Sequence, residues 1–507
     1  VAEMLSIKQV RQLASSYKVI PIVSTLFSGT ETPLTIFEKL AASRPGSFLL
    51  ESAEQGVWSR YSFVGVGSLG SLISESGVLR WIPSHDSVDL NVDFEEISAG
   101  GDLAALEQLQ KTWVAAPIED LPPLVAGMVG FLGWDSIQAL ETLPKPKAKE
   151  YEIPELAMSV IRDLVVVDHQ ESSLKLISNI YLDDEVDVEP LYIEALERIT
   201  QMKKGLLSKT DPFLAEVDLS SKPAYSRRST DSQFLDMVEK AKVYVRAGDV
   251  FQVVLSQRFE IPVVAESLDV YRMLRALNPS PYMYLLNFAD STGEFSVVGS
   301  SPEALVRVSA GKAVLHPIAG SRPRGATVEQ DASLAEELLQ DNKERAEHLM
   351  LVDLARNDLL RVCQPDSVSV TEFMNVEKYS HIMHLVSTVE GLLSEGASAV
   401  DVFRATFPAG TLSGAPKPRA LEIIEELEAC NRGLFGGVVG YFDFSGNADL
   451  AIAIRTAVIR GGIGYVQAGA GIVLDSDPQL ENQETIAKAS APLRAIAAAN
   501  SMKRVNS

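Results

Sequence analysis

Two Glu-x-x-Glu pairs, Glu344/Glu347 and Glu481/Glu484, are the residues of this chain whose type and spacing most directly suggest chemistry. Carboxylates brought within about 5 Å repel by roughly 3 kcal/mol at an effective dielectric near 20, so pairs that converge in a fold need a cation or shared protons. An all-oxygen donor set suits Mg2+, which keeps positions for substrate oxygens when the protein ligates it incompletely. The bland reading is two ordinary charged helices, with Glu484 and Lys488 as an exposed i, i+4 pair worth about 0.3–0.5 kcal/mol.

The elements that must position these pairs are legible. In the stretch 341–354, Glu347, Leu351 and Leu354 recur at i, i+4 and i+7, which places Glu347 beside an apolar stripe. Asp477 reads as the N-cap and Pro478 as the first residue of a second helix, on which Leu480, Glu484, Ala487 and Ala491 are expected to share a face. Residues 209–230, rich in Ser, Lys, Asp and Pro, read as a linker between an N-terminal α/β region, 1–208, and a region 231–507 that carries the pairs. In the first region, 164–168 and 173–178 predict a β-hairpin and 126–134 a further strand. In the second, Asp231 or Ser232 is expected to cap a helix that Gly248 ends before a strand over 250–258. Three antiparallel strands are predicted over 436–444, 450–459 and 464–473. Strands and long helices without regular β-α-β alternation predict an α+β fold.

Composition narrows the function. With 507 residues, 46% hydrophobic and 22% charged, the chain has ample core for a large globular protein. A formal charge of −23 argues against nucleic acid or an anionic membrane as the main partner, and an anionic substrate would need a locally positive site. The longest uncharged apolar run, 121–134, is too short to span a bilayer, and no secretory signal is visible at the start. Two cysteines, Cys363 near a helix end and Cys430 in a predicted helix, build no disulfide framework and fit a reducing, cytoplasmic setting.

The segment Pro317-Ile-Ala-Gly-Ser-Arg-Pro-Arg-Gly325 concentrates glycine, proline and arginine, a composition able to present N–H groups and guanidinium to an anion, though such loops are usually structural. Together with Gly410-Thr-Leu-Ser-Gly-Ala-Pro-Lys417, Asn278-Pro-Ser-Pro-Tyr-Met283, Leu49-Leu-Glu-Ser52 and the glutamate pairs, it closely resembles the chorismate-utilising enzyme family, in its anthranilate synthase component I branch. The resemblance covers most of 230–500. It implies antiparallel sheets sandwiched by helices, Mg2+ and chorismate as ligands, and amination at C2 with loss of the C4 hydroxyl before pyruvate is eliminated. It implies Glu344, Glu347, Glu481 and Glu484 as the Mg2+ platform for the ring carboxylate, and Glu303 of Gly299-Ser-Ser-Pro-Glu303 as the general acid for the departing hydroxyl. His384, Thr411, Gln252 and Lys488 match catalytic positions. Gly320, Ser321, Phe435, Arg455 and Gly469-Ala-Gly471 match substrate contacts, with Arg455, placed on an alternating strand from Ala451, set to pair bidentately with a carboxylate. Taken alone, His384 would more often be a packed core histidine, Glu303 a strand-edge carboxylate, and Gly469-Ala-Gly471 a bulge.

The nucleophile rests on two positions. Sister enzymes of the family carry lysine where Ala319 or Gln252 stands here; alanine cannot attack, and glutamine cannot act as a base. Both favour ammonia. Neither cysteine lies in a Gly-x-Cys-x-Gly turn, so the resemblance implies a separate glutamine amidotransferase subunit, component II, in a heterotetramer. It also implies tryptophan feedback at Glu51, Ser52, Pro281, Tyr282, Met283 and Tyr441, with Arg60 as a candidate for a further basic contact. Ser52 as a turn residue and the Pro-rich segment as a rigid connector are the structural alternatives. One departure is Phe435, where the family commonly has tyrosine, which removes a hydroxyl hydrogen bond worth about 0.5–1.5 kcal/mol; Ser321 for threonine is milder. From other classes, a catalytically idle tryptophan-binding scaffold predicts binding without turnover, and a generic Mg2+ hydrolase would need a nucleophile constellation that is not seen.

Overall fold

The structure, a computed structural model, describes residues 4–52, 60–84, 94–144, 147, 150–183, 187–209, 213–378 and 382–505. Two long strands, Tyr61–Glu75 and Leu156–Asp168, pair antiparallel along their whole length and organise the rest. Register shifts between Gly65 and Gly70 interrupt this ladder, and bulges bend and twist a strand pair. The two ends of the pair therefore enter different sheets.

In the first sheet the order is Val19–Phe27, Ser173–Tyr181, the long pair, Phe48–Glu51, Tyr282–Asp290, Gly293–Ser301, Thr456–Arg460, Ile463–Ile472 and Gln252–Pro262. In the second, Val78–Pro83 and the long pair are followed by Gly127–Leu132, Val438–Asp443, Ala448–Ile452, Ala304–Ser309, Lys312–Leu315 and Ile382–Leu392, which Ile318–Pro323 and Ser369–Lys378 also join. Every one of these pairings is antiparallel, as expected for an α+β chain. In both sheets the strands from 1–208 form one block and those from 231–507 continue it, joined where Phe48–Glu51 pairs with Tyr282–Asp290 and where Gly127–Leu132 pairs with Val438–Asp443. The segment between 1–208 and 231–507 lies against the body: Ala215–Glu216 pairs with Lys503–Arg504, and Ser226–Arg227 with Phe259–Glu260.

Alternation along the strands decides the layers. Phe63, Tyr284, Leu286 and Val297 of the first sheet face Met128, Phe131, Val306 and Leu450 of the second. The intervening residues, Val64, Met283, Leu285 and Val298, face outward and meet Ile199, Leu274, Leu493 and Ile496 of the helices Val188–Leu206, Ser267–Leu277 and Pro478–Asn500. Leu493 and Ile496 together contribute about 3–6 kcal/mol by burial, which anchors the helix that carries Glu481 and Glu484. The helix Asn342–Leu360, capped by the Asp341 side chain, packs on Ile318–Pro323 and Ile382–Leu392.

Several expectations need correction. Thr230, not Asp231 or Ser232, caps the helix Asp231–Ala247, because its hydroxyl accepts from the Gln233 N–H. The strand after Gly248 runs Gln252–Pro262. Leu480 is 64% exposed; the buried face of its helix runs through Thr485, Ala489, Leu493 and Ile496, so Glu484 sits on the solvent side of the stripe. Cys430 lies beyond the helix Lys417–Leu427, and both cysteines are buried free thiols. The segment expected as one strand over 450–459 is two, Ala448–Ile452 and Thr456–Arg460, which belong to different sheets. That break creates the site.

Candidate active site

Two adjacent chain segments cross from one sheet to the other at the same corner. One passes from Gly293–Ser301 to Ala304–Ser309 through Pro302 and Glu303; the other passes from Ala448–Ile452 to Thr456–Arg460 through Arg455. They are stitched together by Ile452 N–H donating to the Glu303 carbonyl at 2.9 Å and Ser300 N–H to the Arg455 carbonyl at 3.3 Å. Arg455 has a left-handed backbone, φ 50°, so it is not the alternating strand residue expected from sequence. A non-glycine residue held there carries strain of about 1–3 kcal/mol, a feature concentrated at functional sites.

The crossing brings an acid and a cation into one partly enclosed space. Burial raises the Glu303 carboxyl to about 7, against the opposing effects of a hydrogen bond from Thr411 and the positive charges of Lys488 and Arg455. The Thr411 hydroxyl donates to Glu303 Oε1 at 2.9 Å. Glu303 and Thr411 also line a recess with Leu315, His316 and Leu351. Burial lowers the Arg455 pKa while Glu303 opposes it, yet a guanidinium stays charged in protein. Among the described residues, Arg455 makes no side-chain hydrogen bond or ion pair within 4 Å. A half-buried cation so placed suits a substrate carboxylate.

His384 enters from the strand Ile382–Leu392. Its Nδ1 lies 2.8 Å from the Gly320 carbonyl oxygen, which can only accept, so Nδ1 carries the proton in the neutral ring and Nε2 presents a lone pair. Burial depresses the imidazole pKa, with the Gly320 hydrogen bond opposing, and a neutral ring follows near pH 7. Gly320 itself has φ +66°, and a Cβ there would lie 3.0 Å from Glu344 Oε2. Only glycine lets this backbone support His384 on one side and admit Glu344 on the other.

The glutamate pairs do approach one another. Burial raises the Glu347 pKa, with the charges of Glu344 and Glu484 adding, and burial raises that of Glu481, with Glu484 again adding. The outer members are held by cations: Glu344 lies 3.4 Å from Arg322, and Glu484 2.6 Å from Lys488. Among the described residues no three His, Cys, Asp or Glu side chains are gathered tightly enough to hold a metal as they stand. The donor set is nonetheless four carboxylates, in which Glu347 feels the charges of Glu344 and Glu484 and Glu481 that of Glu484, a crowding of negative charge that a hard divalent cation relieves.

Gln252 lies over the glycine turn, its Nε2 only 2.6 Å from where a Cβ on Gly471 would sit. Lys488 Nζ donates to the Gly469 carbonyl at 3.2 Å, and Ala470 is fully buried. Phe435 is buried with its ring 5.4 Å from the Arg432 guanidinium, which Glu428 holds. Ser321 is exposed beside His384 in register. The arginines of the 317–325 segment are taken up by carboxylates of the chain itself. That segment forms the strand Ile318–Pro323, Arg322 bonds Glu337 and Asp341, and Arg324 bonds Asp331.

A second cluster gathers where Phe48–Glu51 meets Tyr282–Asp290 in the first sheet. Glu51 pairs in register with Met283 and is buried, accepting from the Tyr271 hydroxyl at 2.7 Å and from Arg275 at 3.0 Å. The Ser52 hydroxyl is buried without a hydrogen-bond partner among the described residues. Tyr282, next to Pro281, donates to Asp449 at 3.0 Å, and the buried Tyr441 hydroxyl feels the charge of the same Asp449. Arg60, the candidate for a further basic contact, pairs with Asp168 and Glu171, and residues 53–59, between it and Ser52, lie outside the described residues. Sequence reasoning missed Tyr271, Arg275 and Asp449. Tyr271 and Arg275 share a helix face by spacing, but nothing local pointed them at Glu51.

A family model described as chorismate binding enzyme matches residues 46–494. Anthranilate synthase component 1 of Mycolicibacterium smegmatis is 49% identical over 98% of this chain and 94% of its own length. The crystal structure of anthranilate synthase component I from Streptococcus pneumoniae superimposes with a TM-score of 0.73 at 34% identity, over 92% of this chain and 99% of that one. The menaquinone-specific isochorismate synthase of Escherichia coli shares the fold, with a TM-score of 0.66 at 19% identity over 97% and 98% of the two chains. Family, relatives and the acid–arginine corner agree: the chain belongs to the chorismate-binding enzymes and is an enzyme of the anthranilate synthase component 1 type.

Proposed function

We propose that the chain converts chorismate and ammonia to anthranilate and pyruvate, that the reaction requires Mg2+, and that tryptophan inhibits it. The single observation that carries this reading is the corner where Glu303, protonated near neutrality, stands beside Arg455, which has no side-chain partner among the described residues. Chorismate brings two carboxylates and a hydroxyl that leaves poorly, so its site needs a cation, a second anion platform and an acid.

Arg455 binds one carboxylate bidentately, and Gly469-Ala-Gly471 lets the substrate approach the backbone closely. Glu344, Glu347, Glu481 and Glu484 are the residues that would hold Mg2+. Bound there, the ion supplies charge for the ring carboxylate and withdraws electron density from the ring. Ammonia forms the C2–N bond as the C4–O bond breaks, and Glu303 gives the departing oxygen its proton, so that water leaves. Thr411 orients that carboxyl and stabilises its ionised form afterwards. In the second step the C2 proton is removed and the enolpyruvyl group leaves as pyruvate; the Nε2 lone pair of His384 suits a proton acceptor or an orienting group. Ala319, at the buried position where lysine would attack, and Gln252, which has no basic nitrogen, support ammonia as nucleophile.

Glu51, Ser52, Met283, Tyr282 and Tyr441 support the tryptophan reading, since a buried hydroxyl lacking a partner beside an anchored carboxylate suits an amino-acid ligand. The component 1 naming of the relatives supports a partner component, here a glutamine amidotransferase that supplies the ammonia in a heteromer. The test uses the purified chain with chorismate, MgCl2 and an ammonium salt at alkaline pH. Fluorescent anthranilate is expected, quenched on adding tryptophan. Isochorismate or 4-amino-4-deoxychorismate as product would overturn the assignment.

A further inference from the structure

Lys488 stands at a junction that the reaction itself does not explain. Its ammonium is 2.6 Å from Glu484, one of the four carboxylates, and 3.2 Å from the carbonyl of Gly469 in the glycine turn. Its charge is also felt at Glu303, Glu347 and Glu481. The Glu484–Lys488 pair is nearly half exposed on both sides, and pairs of that kind are weak because water competes for both partners. Mg2+ at the four carboxylates would draw on the same Glu484 oxygens. A divalent ion and an ammonium cannot both neutralise that carboxylate fully, and the ammonium has a second acceptor already in hand.

We propose that Lys488 is an exchangeable internal cation: in the metal-free enzyme it neutralises Glu484, and metal binding releases it, still tethered to Gly469, to face an anionic group of the substrate. Lys488 is then a positioning residue that couples the two sites. Metal occupancy adds a free positive charge next to Gly469–Gly471, on the side toward Glu303 and Arg455, and so raises affinity for a dicarboxylate. By linkage the substrate raises metal affinity by the same factor. No bond is made or broken; one ion pair is replaced by two.

This inference rests on the chorismate and Mg2+ reading above, and the experiment separates the two. Chorismate binding is measured by calorimetry without ammonia, with and without Mg2+, on the full chain and on Lys488→Met, Glu484→Gln and the double variant; Mg2+ binding is measured on the first two. Lys488→Met is expected to bind Mg2+ at least about threefold more tightly than the parent, because the internal competitor is gone, and to lose most of the coupling between Mg2+ and chorismate. Glu484→Gln is expected to bind chorismate in metal-free buffer about three- to tenfold more tightly than the parent, and adding Lys488→Met is expected to abolish that gain. A gain that survives in the double variant would show that only the lost negative charge mattered and would overturn the exchange. Unchanged coupling in a Lys488→Met chain with parental melting behaviour would overturn it as well. If chorismate binds to none of the proteins under any condition, the substrate reading fails, and the exchange proposal falls with it.

Discussion

Replacing Glu303 with glutamine tests the acid at the sheet corner by two independent readouts. The carboxyl moves from an ordinary 4.5 to about 7 on folding, chiefly through burial. Below about pH 4.5 both states hold the proton and folding is unaffected. Between there and about 7 the unfolded chain releases a proton that the folded chain keeps, so stability falls as pH rises; above 7 the penalty is complete. At about 1.4 kcal/mol per pH unit it reaches roughly 3 kcal/mol. Glutamine has the same shape, no charge to bury, and a carbonyl that still accepts from Thr411, so Glu303→Gln is expected to gain about 2–3 kcal/mol over the parent at pH 8 and little at pH 5. With an unfolding entropy of roughly 2 cal/mol/K per residue, this corresponds to a melting temperature higher by about 2–3 °C at pH 8. The same change removes the proton for the C4 oxygen, and kcat with ammonia is expected to fall about 10²–10⁴-fold. Calorimetric scans at the two pH values and initial rates at fixed free ammonia measure both effects. A variant with the same stability offset at pH 5 and pH 8 would refute a buried, protonated Glu303; one that is stabilised but fully active would refute its role as the acid.

Gly320→Ala places a Cβ on a left-handed backbone 3.0 Å from Glu344 Oε2. The backbone alone costs about 1–2 kcal/mol, and Glu344 or His384 must shift, so Mg2+ affinity measured by calorimetry is expected to drop about tenfold together with kcat; an unaltered Kd for Mg2+ would separate Gly320 from the metal platform. Ser52→Phe puts a ring where a buried, unpartnered hydroxyl now lies beside Glu51. Tryptophan inhibition should weaken by at least about tenfold, or about 1.4 kcal/mol, with turnover within about twofold of the parent, and an unchanged inhibition curve would place the regulatory site elsewhere.

Local rules read much of this chain correctly because the signals are local. Asp477 and Pro478 start their helix as capping chemistry requires, Gly248 ends another with φ +84°, and the 164–178 hairpin follows from alternation. Errors arose where a residue answers to distant partners. The apolar run through 450–459 has the pattern of one strand, and nothing within it records that its halves belong to different sheets. The Arg322 side chain suggested an anion site, but Glu337 and Asp341, 15 and 19 residues away, take it. Leu480 fits an apolar stripe by spacing and is exposed because the packed face of its helix is rotated away from it.

Residue identity determined the chemical repertoire: four glutamates in two i, i+3 pairs, an arginine among small apolar residues, an alanine and a glutamine where a lysine would change the nucleophile. Identity travels with the sequence because side-chain chemistry is covalent. Tertiary structure alone decided which of those groups share a space. The bend of two long strands made two sheets, two chain segments crossed between them at one corner, and that crossing buried Glu303 enough to hold its proton near neutrality while leaving Arg455 next to it without a side-chain partner among the described residues. A raised pKa is a property of surroundings, and those surroundings come from strands more than a hundred residues apart.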